Sequence, residues 1–177
     1  EALAVSISEH LKTLPFQPAL IVASFHGMPQ KYIDKGDPYQ AQCIATIDAL
    51  RARMGLDASK LMLTFQSRFG FDEWLQPYTD KTIEQLGKDG VKRIAVVMPG
   101  FSADCLETLE EIAQENAEIF KHAGGEQFSA IPCLNDSDPG MDVIRQLVLR
   151  GLQGWNVGGR GGLSNPPPHG GGGEAGA

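Results

Sequence analysis

The sequence predicts an α/β fold, a four-stranded parallel sheet with helices on both faces. Two observations carry that prediction. Short apolar runs alternate along the chain with longer segments of helical periodicity. The apolar runs are nearly continuous rather than alternating with polar residues, as befits strands covered on both sides. Size permits one such core, since the chain has 177 residues, 42% of them hydrophobic.

The elements follow in order. Leu3, Ile7, Leu11 and Leu14 recur at helical spacing, so residues 2–14 read as an amphipathic helix. Leu20-Ile21-Val22-Ala23-Ser24-Phe25 is the first strand, with a turn-like His26-Gly27-Met28-Pro29 after it. Residues 38–54 read as a helix with Pro38 in its first turn and Cys43, Ile44, Ile47 and Leu50 on one side. Leu61-Met62-Leu63-Thr64-Phe65 is the second strand. Thr79 is placed to cap a helix that runs to Gly87, read as its C-terminal glycine. Ile94-Ala95-Val96-Val97-Met98 is the third strand, ended by Pro99-Gly100. Residues 104–122 form a long helix with Leu106, Leu109, Ile112, Ala113 and Phe120 on its apolar side. Phe128 to Pro132 is a weaker fourth strand. Residues 139–153 form a last helix, with Met141, Ile144, Leu147 and Val148 expected inward.

Composition excludes several classes. The formal charge of −7 disfavours a nucleic-acid partner, which would need a basic face. No apolar run approaches the ~20 residues of a membrane span. Cys43, Cys105 and Cys133 are odd in number and widely spaced, giving neither a disulfide framework nor a CxxC zinc site. A reducing cytoplasmic setting follows. From Val157 the chain turns to Gly, Pro and Ser, so 157–177 is expected to be a disordered Gly/Pro-rich tail.

Ligands of parallel sheets bind at the carboxyl ends of the strands. The loops there carry polar residues, but neither a GxGxxG nor a GxxxxGK[ST] sequence, so a nucleotide has little support. His26 stands at such an end, where imidazole can take a proton or a metal; the plainer reading is a histidine bonded in a turn. Gly27 beside it leaves room for a ligand to approach. Asp104, Glu107, Glu111, Glu115 and Glu118 lie on one stripe of the long helix. A solvated face is the plain reading, yet like charges four apart repel by roughly 0.2–0.5 kcal/mol per pair. A path for cations or protons would explain them. Trp74 and Tyr78 flank a proline and read as a packed loop or the wall of a flat-ligand pocket. Cys105, next to Asp104, reads as a structural thiol.

At these residues the chain resembles the ferrochelatase family, whose members end haem synthesis. The motifs are Ser24-Phe25-His26-Gly27-Met28-Pro29, Gly36-Asp37-Pro38-Tyr39, Phe65-Gln66-Ser67-Arg68-Phe69-Gly70, Trp74-Leu75, and Pro77-Tyr78-Thr79-Asp80. They continue with Pro99-Gly100-Phe101-Ser102-Ala103-Asp104-Cys105-Leu106-Glu107-Thr108-Leu109-Glu110-Glu111-Ile112. All stand in the family's order, between about residues 18 and 153, and the last has a proteobacterial form.

The resemblance implies two Rossmann-like lobes with porphyrin between them, of which this chain is similar to the second. Residues 1–17 would be a linker helix from a missing N-terminal lobe, and 18–156 the C-terminal lobe. The implied reaction inserts Fe(II) into protoporphyrin IX and releases two protons. Porphyrin and ferrous iron are the implied partners, both substrates. By motif, His26 and Glu107 would be catalytic and would bind the metal, with Asp104, Glu111 and Glu115 as a proton or metal path. Ser24, Met28, Pro29, Trp74 and Tyr78 are the porphyrin-pocket candidates. Some members carry an iron–sulfur cluster on C-terminal cysteines; this tail has none, so no cluster and no cofactor beyond substrate iron is expected. Relatives also suggest a π-helical stretch within residues 101–115. Peripheral membrane contact stays open, as do two rival readings. One is a chelatase for coproporphyrin, cobalt or nickel. The other is a lobe that is inert alone or serves only as a binding module.

Overall fold

A computed structural model describes residues 1–155, so the expected tail at 157–177 lies outside the described residues. The order is α1 (Ala2–Thr13), β1 (Leu20–His26), α2 (Gln30–Ile33), α3 (Tyr39–Met54), β2 (Leu61–Gln66), α4 (Thr79–Lys88), β3 (Arg93–Val97), a π-helix (Glu107–Asn116), α5 (Ala117–His122), β4 (Gln127–Ala130) and α6 (Asp138–Gly151). Sequence patterning locates all of these but the single turn of α2.

The four strands pair in the order β2-β1-β3-β4, all parallel. The chain leaves β1 toward β2 on one side and returns to β3 on the other, so the strand order reverses at β1. That reversal opens a crevice at the carboxyl end of β1. Alternate residues of each strand face opposite layers. Ile21, Ala23, Phe25, Leu61 and Phe65 pack with Ala4 and Ile7 of α1 and Cys43, Ile47 and Leu50 of α3. Leu20, Val22, Ile94 and Val96 pack with Ile83 of α4, Ile112 of the π-helix and Phe120 of α5. Each fully buried side chain of this size contributes about 1.5–3 kcal/mol relative to exposure.

Several local expectations change. Ile44 is exposed, whereas Cys43, Ile47 and Leu50 are buried. Thr79 opens α4 without capping it, because its hydroxyl is buried against Ser24 and Thr64. Gly87 does not end that helix. A Cβ there would come within 2.7 Å of the Ala123 Cβ, so glycine lets α4 and α5 touch, while Gly90, at φ +84°, takes the left-handed turn. Leu106 and Leu109 are exposed rather than inward. Leu106 precedes the π-helix; for Leu109 the cause is the helix type. Bonding between residues five apart brings residues four to five apart into line, so Thr108, Ile112 and Asn116 form the buried row.

The largest departure is α6. Met141, Ile144, Leu147 and Val148, expected inward, are 42–56% exposed, and only Gly140 of that helix is buried. Both sheet faces are already filled, and α6 flanks α1 instead. Amphipathic spacing shows that a face favours cover; it does not say what supplies it.

Candidate active site

His26 and Gln66 are the last residues of β1 and β2 and are register partners. Paired residues of parallel strands point to the same face, here the layer of α4 and the π-helix. Two residues earlier on that face, Ser24 pairs with Thr64. Both are fully buried, and with Thr79 they form a hydroxyl cluster at 2.7–2.9 Å. Ser24, a pocket candidate, therefore supports the edge from below. Its hydroxyl donates to Gln66 Oε1 at 2.8 Å.

The His26 imidazole is half-buried, with Nδ1 2.7 Å from the Gly27 carbonyl. A carbonyl only accepts, so Nδ1 carries the proton. In the neutral ring Nε2 then keeps its lone pair, the arrangement seen in imidazoles that act as bases or metal ligands. Tyr39 steadies the strand end by donating its hydroxyl to the His26 carbonyl at 2.8 Å, and Phe101 lies 6.3 Å from the imidazole between ring centroids.

Across from this edge runs the π-helix. Glu107 is half-buried at its start, and its carboxyl is held below the usual range. The causes are hydrogen bonds from Cys105 and from its own amide, with an attraction from His26. Glu111, one turn on, is gripped by β2. The Ser67 amide donates to Oε1 at 2.7 Å, the Ser67 hydroxyl makes a short bond to Oε2, and Gln66 Nε2 donates to Oε2 at 3.2 Å. Ser67 makes this grip from a left-handed backbone at φ 63°, a strain of the kind concentrated at functional sites. Glu115 is exposed farther along the helix.

Asp104 lies before the helix and faces another way. It accepts from Asn135 Nδ2 at 2.7 Å, the Thr108 hydroxyl at 3.1 Å and the Cys133 amide at 3.2 Å. Its own amide donates to Asn135 Oδ1 at 2.8 Å. Burial raises its pKa, but these bonds outweigh burial and hold the carboxyl below the usual range. The residue ties the loop after β3 to the loop after β4. The acidic stripe thus divides: Glu107 and Glu111 meet the strand ends, Asp104 is a joint, and Glu115 faces solvent.

The remaining candidates build the wall beside His26. A Cβ on Gly27 would lie 2.7 Å from the Gln66 carbonyl and 3.0 Å from the Trp74 ring, so its close neighbours are protein. Trp74 is buried, donates from Nε1 to the Phe69 carbonyl at 3.0 Å and bridges Pro29 through the backbone. Met28 and Pro29 are half-buried, and the Met28 carbonyl accepts from Leu75 at 2.9 Å. Tyr78 lies under the Arg68 guanidinium at 4.2 Å, and Arg68 forks onto Asp80 at 2.6 and 2.8 Å.

Among the described residues no three His, Cys, Asp or Glu side chains converge closely enough to hold a metal. His26 and Glu107 offer a nitrogen and an oxygen donor, a set suited to weak, transferable binding of a borderline divalent ion. Gln66 and Ser67 are the residues that sequence reasoning passed over. A signal was present: Thr64 and Gln66 are polar at alternate positions of an apolar run. A cavity of about 730 Å³, lined by Leu14, Phe16 and Met54 among others, opens at the opposite edge of the sheet, away from this chemistry. No described helix is long and apolar enough to cross a membrane.

Comparison with known proteins fits this geometry. The ferrochelatase family model matches residues 1–152. A ferrochelatase of Nitrobacter hamburgensis is 83% identical over 155 residues, covering 88% of this chain and 45% of that protein. One from Bradyrhizobium diazoefficiens is 82% identical, and one from Rhodopseudomonas palustris 78%, with the same coverage. The chain thus spans somewhat under half the length of the curated relatives it matches. The family match runs through every strand of the sheet, the histidine at its reversal point and the π-helix facing it, and the chain belongs to the ferrochelatase family.

Proposed function

We propose that this chain forms the metal-handling wall of a ferrochelatase that inserts Fe(II) into protoporphyrin IX. The observation that carries the reading is the Nδ1 bond of His26 to the Gly27 carbonyl, which frees Nε2 of the neutral ring at the crevice of the sheet, with Glu107 at the start of the π-helix across from it. Metallation displaces two protons from pyrrole nitrogens as the iron–nitrogen bonds form, so a base must stand at the macrocycle. Nε2 accepts a proton while Nδ1 stays fixed on the Gly27 carbonyl. Glu107 holds or passes the arriving cation, and its low pKa keeps it charged for that task. Glu111, tied to Ser67, backs Glu107 as the next carboxylate along the path.

The catalytic unit in this reading includes a further lobe that supplies the opposite wall of the porphyrin cleft. Two observations support it: the matched stretch covers only 45% of the relative's length, and among the described residues α6 presents exposed apolar side chains. Activity of this chain alone therefore falls well below that of a full-length enzyme.

Anaerobic conversion of protoporphyrin IX and Fe(II) to haem, followed by absorbance, tests the proposal in a full-length ferrochelatase carrying this lobe. His26→Ala should cost about 10²–10⁴ in rate, the usual contribution of a positioned base. Glu107→Gln should impair metallation far more than Glu118→Gln. Retention of most activity by His26→Ala, or equal effects of the two glutamate changes, would refute the assignment.

A further inference from the structure

We propose that Gln66 is a positioning residue that clamps the π-helix and so sets where the Glu107 carboxylate stands relative to His26. The orientation of its amide is dictated by its neighbours. Nε2 lies 2.8 Å from the Glu107 backbone carbonyl and 3.2 Å from Glu111 Oε2. Both of those groups only accept, so the NH2 must face them, and Oε1 is left for the Ser24 hydroxyl at 2.8 Å. Gln66 is 3% exposed; its bond to Ser24 is buried, and those to Glu107 and Glu111 are part-buried.

A backbone carbonyl has two lone pairs. In a π-helix one serves the amide five residues on; at Glu107 the side chain of Gln66 takes the other. The same device recurs at Glu111, whose carbonyl accepts from Asn116 Nδ2 at 2.6 Å. Asn116 makes that bond although its Oδ1 is buried with no partner among the described residues. Such an orphan costs about 1–3 kcal/mol, so the donor side of Asn116 is the side the fold retains. Two side-chain amides thus reinforce carbonyls four residues apart in a helix type that rarely persists for several turns. The two are unequal in reach. Asn116 acts within the helix, whereas Gln66 belongs to β2 and is the register partner of His26. It therefore links the base and the carboxylate through one rigid sheet edge. The hydroxyls of Ser24, Thr64 and Thr79 fill the buried space behind it.

Two variants test the clamp. Gln66→Met keeps the length and removes every hydrogen bond; Gln66→Glu keeps the shape and replaces the NH2 with a carboxyl oxygen set against Glu111. In this chain, amide exchange at Glu111 and Ile112 should quicken at least about tenfold in both, as expected for losing a part-buried bond. Exchange at Ala95 and Val96 of β3, which reports global stability, should quicken clearly less than exchange in the π-helix. The Glu107 carbonyl carbon resonance should shift on losing its second donor. Unchanged exchange in the π-helix, or equal quickening in β3, would overturn the proposal. In a full-length enzyme the variants should lower kcat at least about tenfold with little change in porphyrin KM, because misplacement, not binding, is at fault. That arm alone rests on the proposed function. Absence of metallation by the unaltered enzyme would refute that function while leaving the clamp to be judged by exchange. A raised KM with unchanged kcat would refute the positioning role.

Discussion

Replacing Asp104 with alanine should separate scaffold from site within the acidic stripe. The carboxylate accepts three bonds, from Asn135, Thr108 and the Cys133 amide, across two loops more than 25 residues apart in sequence. Bonds to a charged acceptor contribute about 1.5–3 kcal/mol each when buried. The site is half-exposed, and water replaces part of what is lost, so a total of about 2–3 kcal/mol is expected. For a chain of this size that corresponds to a Tm lower by roughly 5–10 °C. Urea unfolding followed by tryptophan fluorescence, to which buried Trp74 contributes, measures it directly. The pH dependence supplies a second check. The folded-state pKa of Asp104 is lowered, so its contribution is fully present above the ordinary carboxylate value of about 4. It is lost as pH falls through the lower folded value. The stability difference between wild type and Asp104→Ala should therefore shrink in that acidic window and stay constant above it. A loss below about 0.5 kcal/mol, or a difference that grows on acidification, would refute the view of Asp104 as a loop joint.

Two further outcomes are expected from the packing. Gly87→Ala should destabilise the chain by about 1–3 kcal/mol, because the new methyl meets Ala123 and the Phe120 carbonyl at the crossing of α4 and α5; a neutral result by urea titration would show that the crossing relaxes. A thiol reagent at neutral pH should modify half-exposed Cys105 well before Cys43 and Cys133. Burial raises both of the latter, Cys133 to about 12, so the two should react only on unfolding; fast modification of three thiols in the native state would contradict this.

Much of this molecule was legible from its residues. Four near-continuous apolar runs, separated by helical patterns, imply a parallel sheet with two covered faces, because only such strands tolerate apolar residues on both sides. The motif around His26 placed a histidine at a strand's carboxyl end, and the structure extends β1 through it. The acidic row was visible too, but its meaning was not. Periodicity assumes a helix type, and the π-helix realigned the row, turning Leu109 outward. Gln66 and Ser67 were visible only as loop residues, since their partners lie more than 40 positions away.

The order and kind of the elements, the parallel sheet and the histidine at its edge can all be read from the residues alone. These follow from local spacing, which every stretch of chain carries within itself. Tertiary structure alone decided which carboxylate is gripped by Ser67 and Gln66, which ties two loops together and which meets water. It also left the apolar stripe of α6 exposed among the described residues. Those outcomes depend on register, helix type and available neighbours, and such quantities exist only once distant segments meet.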